Sequence, residues 1–239
     1  MSKPPKIDRK DLSRPDEFVQ QGTHLLELVL GHQKKILSGI ATVAVIALGF
    51  YFYQWRVDSK NETGWKEYAE VIQKTDTEKW EGLKKIAEKY SSVPVGQYSA
   101  VQLADHYFDE AKKQSGADAN SKPMNVNLAV QWYSEALKYS KLSPGEKGLL
   151  LVNRASAHEL EQKWDDAMRD YVDAISLGFE GKPIALLGQA RIYELKNEPG
   201  KAIEVYQKLS ADFLNTEYGR MAKNYLRRLK SPLFSGAKS

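Results

Sequence analysis

The chain of 239 residues contains no cysteine. That absence excludes disulfides, thiol nucleophiles, cysteine-ligated metals and a lipid anchor carried on a cysteine. Histidine is also scarce. The four residues His24, His32, His106 and His158 include no i,i+4 pair and no H-E-x-x-H. Glycine-rich phosphate loops and a serine nucleophile elbow are missing too. Charge of one sign is nearly balanced, with a net +4, and no basic stripe points to nucleic acid. The pair Asp165-Asp166 stands at a helix start, where carboxylates complement the helix dipole, and reads as a cap. The triplet Asn61-Glu62-Thr63 fits a glycosylation sequon by chance. The expectation is a protein without enzyme activity, cofactor, metal or nucleic-acid partner.

What the chain does have is one long apolar run. In KKILSGIATVAVIALGFYFYQW (34–55), Ile36 to Tyr53 is free of charge. At about 1.5 Å per residue such a run spans roughly 27 Å, close to a bilayer's hydrocarbon thickness of about 30 Å. A soluble core helix would show a polar face, and this run has none. Tyr51, Phe52, Tyr53 and Trp55 stand where an interfacial aromatic belt belongs. The run starts too late, and ends in residues too bulky, for a cleaved signal peptide. Residues 36–55 are therefore expected to be an uncleaved transmembrane helix in contact with the lipid bilayer.

Residues 1–35 form a short tail with seven Lys and Arg against five acids, and Lys34-Lys35 abut the span. The positive-inside rule then places the N-terminus in the cytoplasm and the C-terminal part across the membrane. Phe18, Leu25, Leu26 and Val29 recur at helical spacing in the tail. They fit an amphipathic helix at the membrane surface, a docking helix for a partner, or an extension of the span.

A repeat fills residues 56–232. Alanine is followed three residues later by a large residue at Ala104/Tyr107, Ala155/His158, Ala190/Tyr193 and Ala222/Tyr225, with a weaker copy at Ala69/Ile72. A second pattern alternates with it: Ala129/Tyr133/Ala136, Ala167/Tyr171/Ala174, Ala202/Tyr206/Leu209 and a degenerate Leu83/Ala87/Tyr90. Small residues let helices approach closely, and aromatics at i+3 or i+4 fill the space beside the contact. Proline and glycine clusters such as Pro144-Gly145 and Pro199-Gly200 separate the segments. A polar insert at 112–125 stretches the second unit. The fold class expected is all-α: about four antiparallel helix pairs stacked as a solenoid, a capping helix near 216–229, and a flexible tail at 233–239.

These patterns resemble the tetratricopeptide repeat. "PIALLGQARIYELKNEPGKAIEVYQKLSADF" (183–213) carries that motif's positions as Leu186, Ala190, Tyr193, Ala202, Tyr206 and Leu209. "LLLVNRASAHELEQKWDDAMRDYVDAISLGF" (149–179) carries Leu151, Ala155, Trp164, Ala167, Tyr171 and Ala174, with His158 in place of the usual aromatic. The layout of tail, span and repeat domain also resembles the YfgM-like ancillary subunits of the bacterial SecYEG translocon. That resemblance implies an inner-membrane scaffold whose C-terminal domain is periplasmic. Its partners would be proteins: the translocon, chaperones or client polypeptides. The alternative is a cytosol-facing receptor, similar in layout to mitochondrial import receptors with these repeats. A receptor clamp needs Lys, Asn and Arg at set positions. Of the equivalent Gln102, Asn153 and Gly188, only Asn153 fits.

In the family's register the groove-facing positions lie three before, one after and four after each repeat alanine. Here they are Val101, Asp105 and Phe108, then Val152, Ser156 and Glu159, then Leu187, Arg191 and Glu194. The stripe mixes apolar and charged side chains, which suits an extended segment or helix of another protein. Phe108 and Leu187 are the expected apolar anchors and Arg191 the polar contact.

Overall fold

The computed structural model describes residues 30–113 and 122–231. Of the amphipathic tail helix expected over residues 16–33, residues 16–29 lie outside the described residues, as does the tail at 233–239. All regular structure among the described residues is helical, with no strand. The chain divides into two compact units, Met1–Asp58 and Ser59–Ser239.

Helix α1 is Gln33–Val71. In the first unit it shows its apolar side chains on every side: Ile40 is 61% exposed, Ile46 66% and Phe50 63%. Among the described residues none covers them, and this is one helix long and apolar enough to cross a membrane. One of its hydroxyls is paired within the helix. Thr42 Oγ1 donates to the Ser38 carbonyl at 2.9 Å, an internal bond of the kind an apolar surrounding requires.

The second unit begins with residues 59–71 of α1. It continues through α2 (Asp76–Lys89), α3 (Pro94–Lys113), α4 (Lys122–Leu137), α5 (Pro144–Leu160), α6 (Trp164–Ser176), α7 (Lys182–Leu195), α8 (Pro199–Asp212) and α9 (Glu217–Leu229). From α2 onward each helix packs on the next. In addition α5 touches α7, and α7 touches α9. The order follows from local signals. Ser143 and Glu146 form a reciprocal capping box at the start of α5. Gln162 and Asn197 take left-handed φ values of 59° and 58° and end α5 and α7. There the Lys163 and Glu198 N–H groups donate back to the His158 and Tyr193 carbonyls at 2.9 and 2.8 Å.

The repeat alanines form the seams of this stack. Ala104, Ala129, Ala136, Ala155, Ala167, Ala174, Ala190, Ala202 and Ala222 are all fully buried. Tyr90, Tyr133, Tyr171 and Tyr206 are buried beside them. The weak first copy is out of register: Ala69 and Ile72 are exposed, while Gly64 and Val71 face the core. The expected insert at 112–125 is shorter than its composition indicated. Helix α3 runs to Lys113 and α4 starts at Lys122, so only residues 114–121 fall between them.

Gly188 shows how tightly the stack closes. A β-carbon there would lie 2.2 Å from Cζ of Tyr171, a ring that is 1% exposed and cannot withdraw. Glycine to alanine inside a helix ordinarily gains about 1 kcal/mol. Overpacking a closed core costs about 1–3 kcal/mol. Overpacking wins here, so Gly188→Ala is expected to lower the thermal unfolding midpoint of the full chain in detergent micelles. Gly200→Ala is the control, because a β-carbon at Gly200 meets nothing within 4 Å. It is expected to leave the midpoint unchanged or raise it. Equal midpoints for both variants would contradict the packing described.

Candidate functional site

The nine residues expected to face a groove have different surroundings. On α3, Val101 is half-buried and Asp105 accepts from Tyr133 Oη of α4 at 2.5 Å. Phe108 is half-buried, with Lys112 Nζ 4.6 Å above its ring. On α5, Val152 is a core residue, only 5% exposed. It is β-branched and sits in the cluster around Tyr171 and Ala155, so its side chain is closed to a partner. Ser156 turns inward, donating to the Val152 carbonyl at 3.0 Å.

Glu159, Arg191 and Glu194 are joined in a ladder. Glu159 on α5 accepts from Tyr171 Oη of α6 at 2.5 Å. It also accepts from Arg191 of α7 through Nε and Nη2, at 2.7 and 2.6 Å. The next rung repeats the arrangement. Glu194 on α7 accepts from Tyr206 Oη of α8 at 2.7 Å and from Arg228 Nη2 of α9. A shorter version opens the series, where Glu67 accepts from Tyr90 Oη at 2.8 Å and Lys89 Nζ at 2.6 Å. Each full rung ties three successive helices together through one carboxylate. The Arg191–Glu159 pair is of the bidentate kind that strengthens guanidinium–carboxylate contacts.

The electrostatics keep these rungs intact. Burial pushes the hydroxyls of Tyr133, Tyr171 and Tyr206 well above the ordinary tyrosine range, and the acceptor carboxylates add to the effect. The phenols therefore remain protonated donors. The hydrogen bonds that Arg191 donates to Glu159 hold its guanidinium above the ordinary range as well. Charge along the stripe is largely spent inside the fold.

Beside the second rung is an open cavity of about 360 Å³. Leu187, Arg191 and Glu194 line it, as expected. So do Leu195, Tyr206, Met221, Tyr225 and Arg228. Val101, Asp105, Phe108, Val152, Ser156 and Glu159 do not line it. The residues missed on α9 repeat at i, i+4 and i+7 (221, 225, 228), a signal that was available. In the family's register the α9 positions would be 219, 223 and 226 instead. Helix α9 thus turns another side of itself toward the cavity, and Tyr225 lies on that side because its ring stacks on Tyr206 with centroids 5.0 Å apart.

Among the described residues no group of three or more His, Asp or Glu could hold a metal ion. What the cavity offers is an apolar wall of Leu187, Leu195 and Met221, an aromatic floor, and arginines already bound to carboxylates. Comparison of the chain with protein-family models, with curated proteins and with solved structures gave no match.

Proposed function

We propose that the chain is a protein-interaction scaffold anchored in the bacterial inner membrane by residues 36–55, with its helical domain in the periplasm. The domain is read as a tetratricopeptide-like solenoid. The succession of helix contacts supports this, because α5 meets α7 and α7 meets α9 while α6 and α8 intervene in sequence. The observation that carries the functional reading is the cavity between α7, α8 and α9, with half-exposed leucine and aromatic surface and self-paired charges. Such a surface fits an apolar helix or extended segment of another protein. An ancillary role beside the translocon, or in a chaperone network, follows from the layout and the resemblance.

Orientation separates this reading from a cytosol-facing receptor. External protease on spheroplasts is expected to digest residues 59–239 and leave a small anchored fragment, detected by a tag at residue 1. Full protection of the large domain, with digestion only after lysis, would establish the receptor reading instead.

A further inference from the structure

Three carboxylates share one arrangement. Glu67, Glu159 and Glu194 each accept from a tyrosine hydroxyl, and each also meets a cation, respectively Lys89, Arg191 and Arg228. Asp105 on α3 has only the first half. Tyr133 Oη donates to it at 2.5 Å, and among the described residues no Lys or Arg pairs with it. The sequence shows why. The cation on Glu159 is Arg191, the residue after Ala190 on α7. The residue after Ala155 on α5 is Ser156, whose hydroxyl turns inward to the Val152 carbonyl at 3.0 Å. The fold builds the acceptor and supplies no cation for it.

Asp105 differs from an ordinary solvated carboxylate in two ways. It is exposed and yet held in place. Tyr133 is 1% exposed, and burial keeps its hydroxyl a protonated donor, so the bond to Asp105 fixes where the carboxylate stands. Val101 and Phe108 stand four before and three after it on the same side of α3, both half-buried. We propose that Asp105 receives a basic side chain of a partner protein. An arginine or lysine on an extended or helical segment of that partner docks on the carboxylate and completes the rung, while apolar neighbours in the segment lie against Val101 and Phe108.

Charge complementarity names this occupant, because the other rungs show what a carboxylate and a tyrosine hydroxyl hold in this fold. The neighbouring charges agree. Asp109, one turn further along α3, adds a second negative charge near Tyr133. Lys112, the nearest cation along the stripe, is engaged already: its Nζ lies 2.8 Å from Asp109 Oδ1 and 4.6 Å from the centre of the Phe108 ring. An acidic segment would meet only repulsion at Asp105. The proposal rests on the scaffold reading for a protein partner and on the incomplete rung for its chemistry. The site lies on α3 and α4, apart from the cavity along α7 and α9.

The test is fluorescence anisotropy of the full chain in nonionic detergent micelles at low salt, with empty micelles as the blank. The probes are a labelled synthetic peptide of alanine and arginine and its twin with glutamate in place of arginine. The unsubstituted chain is expected to bind the arginine peptide saturably and more tightly than the twin. Asp105→Asn keeps an acceptor for Tyr133 and removes the charge, so it folds and is expected to weaken binding roughly three- to tenfold. Asp109→Asn removes the same charge one turn away and is expected to change binding less than about twofold. Leu187→Ser/Leu195→Ser is expected to leave it unchanged, which separates this site from the cavity. Equal binding of the two peptides, or no effect of Asp105→Asn, overturns the proposal. So does an equal loss in both aspartate variants, which would mean a diffuse field and no positioned carboxylate. Loss only in the leucine variant would move the peptide to the cavity, overturning this site and sparing the scaffold reading. Tighter binding after deletion of residues 1–33 would assign Asp105 to the chain's own basic tail and overturn the proposal as well.

Discussion

Replacing Arg154 with leucine is expected to lower the thermal unfolding midpoint of the domain by roughly 6–12 °C. Arg154 is the only side chain that reaches Asp170 through hydrogen bonds among the described residues, and Asp170 is 3% exposed. Removing the guanidinium strands a buried carboxylate. Breaking a fully buried ion pair costs about 3–5 kcal/mol, because the remaining charge keeps its desolvation penalty. The Arg154 side chain is 23% exposed, which places the expected loss at the lower end, about 3 kcal/mol. A domain of this size loses about 2–4 °C per kcal/mol. The double variant Arg154→Leu/Asp170→Leu is expected to recover part of the loss, since no charge is then stranded. Circular dichroism of the full chain in micelles reads both. A change under 2 °C for the single variant would mean that solvent reaches Asp170 freely.

The second large effect is in the span. Ala44→Arg is expected to release a substantial fraction of the protein from membranes on carbonate extraction, where the unsubstituted chain stays. The favourable side is limited. Between Ile36 and Tyr53 there are nine Leu, Ile, Val and Phe residues. At roughly −0.3 to −0.6 kcal/mol each, they supply about −3 to −5 kcal/mol. An arginine at the centre costs about 2.5–3.5 kcal/mol, which offsets most of that. Ala44→Leu is the control and is expected to stay in the membrane. Complete retention of Ala44→Arg would show that the helix is not held by its own hydrophobicity.

The features legible in the sequence are those whose physics is local. Ala155 and Ala167, or Ala190 and Ala202, mark close helix approaches because only a small side chain fits there, and all four are fully buried. Pro144 and Pro199 open helices where the chain must turn, and the apolar run 36–53 announces itself by length alone. The ladder was hidden for the opposite reason. Glu159 meets Arg191 across 32 positions and Glu194 meets Arg228 across 34. Nothing near a glutamate in sequence tells a paired carboxylate from a solvated one. Val152 was misplaced because a groove position and a core position differ by one step around a helix, and a valine fits either. Ala69 misled because one alanine without its partner pattern carries no register.

The surface along α7 and α9 is proposed to hold a partner protein, and partner recovery tests this most directly. Full-length tagged protein is purified from gently solubilised membranes, and co-purifying proteins are quantified against Leu187→Ser/Leu195→Ser. Leu195 is 52% exposed, so its loss spares the core, and an unchanged unfolding midpoint certifies the variant as folded. A partner that uses these leucines as anchors is expected to fall roughly tenfold or more in recovery, while deletion of residues 1–33 leaves recovery in place. Unchanged recovery with the folded double variant, together with loss on deleting residues 1–33, would contradict the account and move the binding site to the tail.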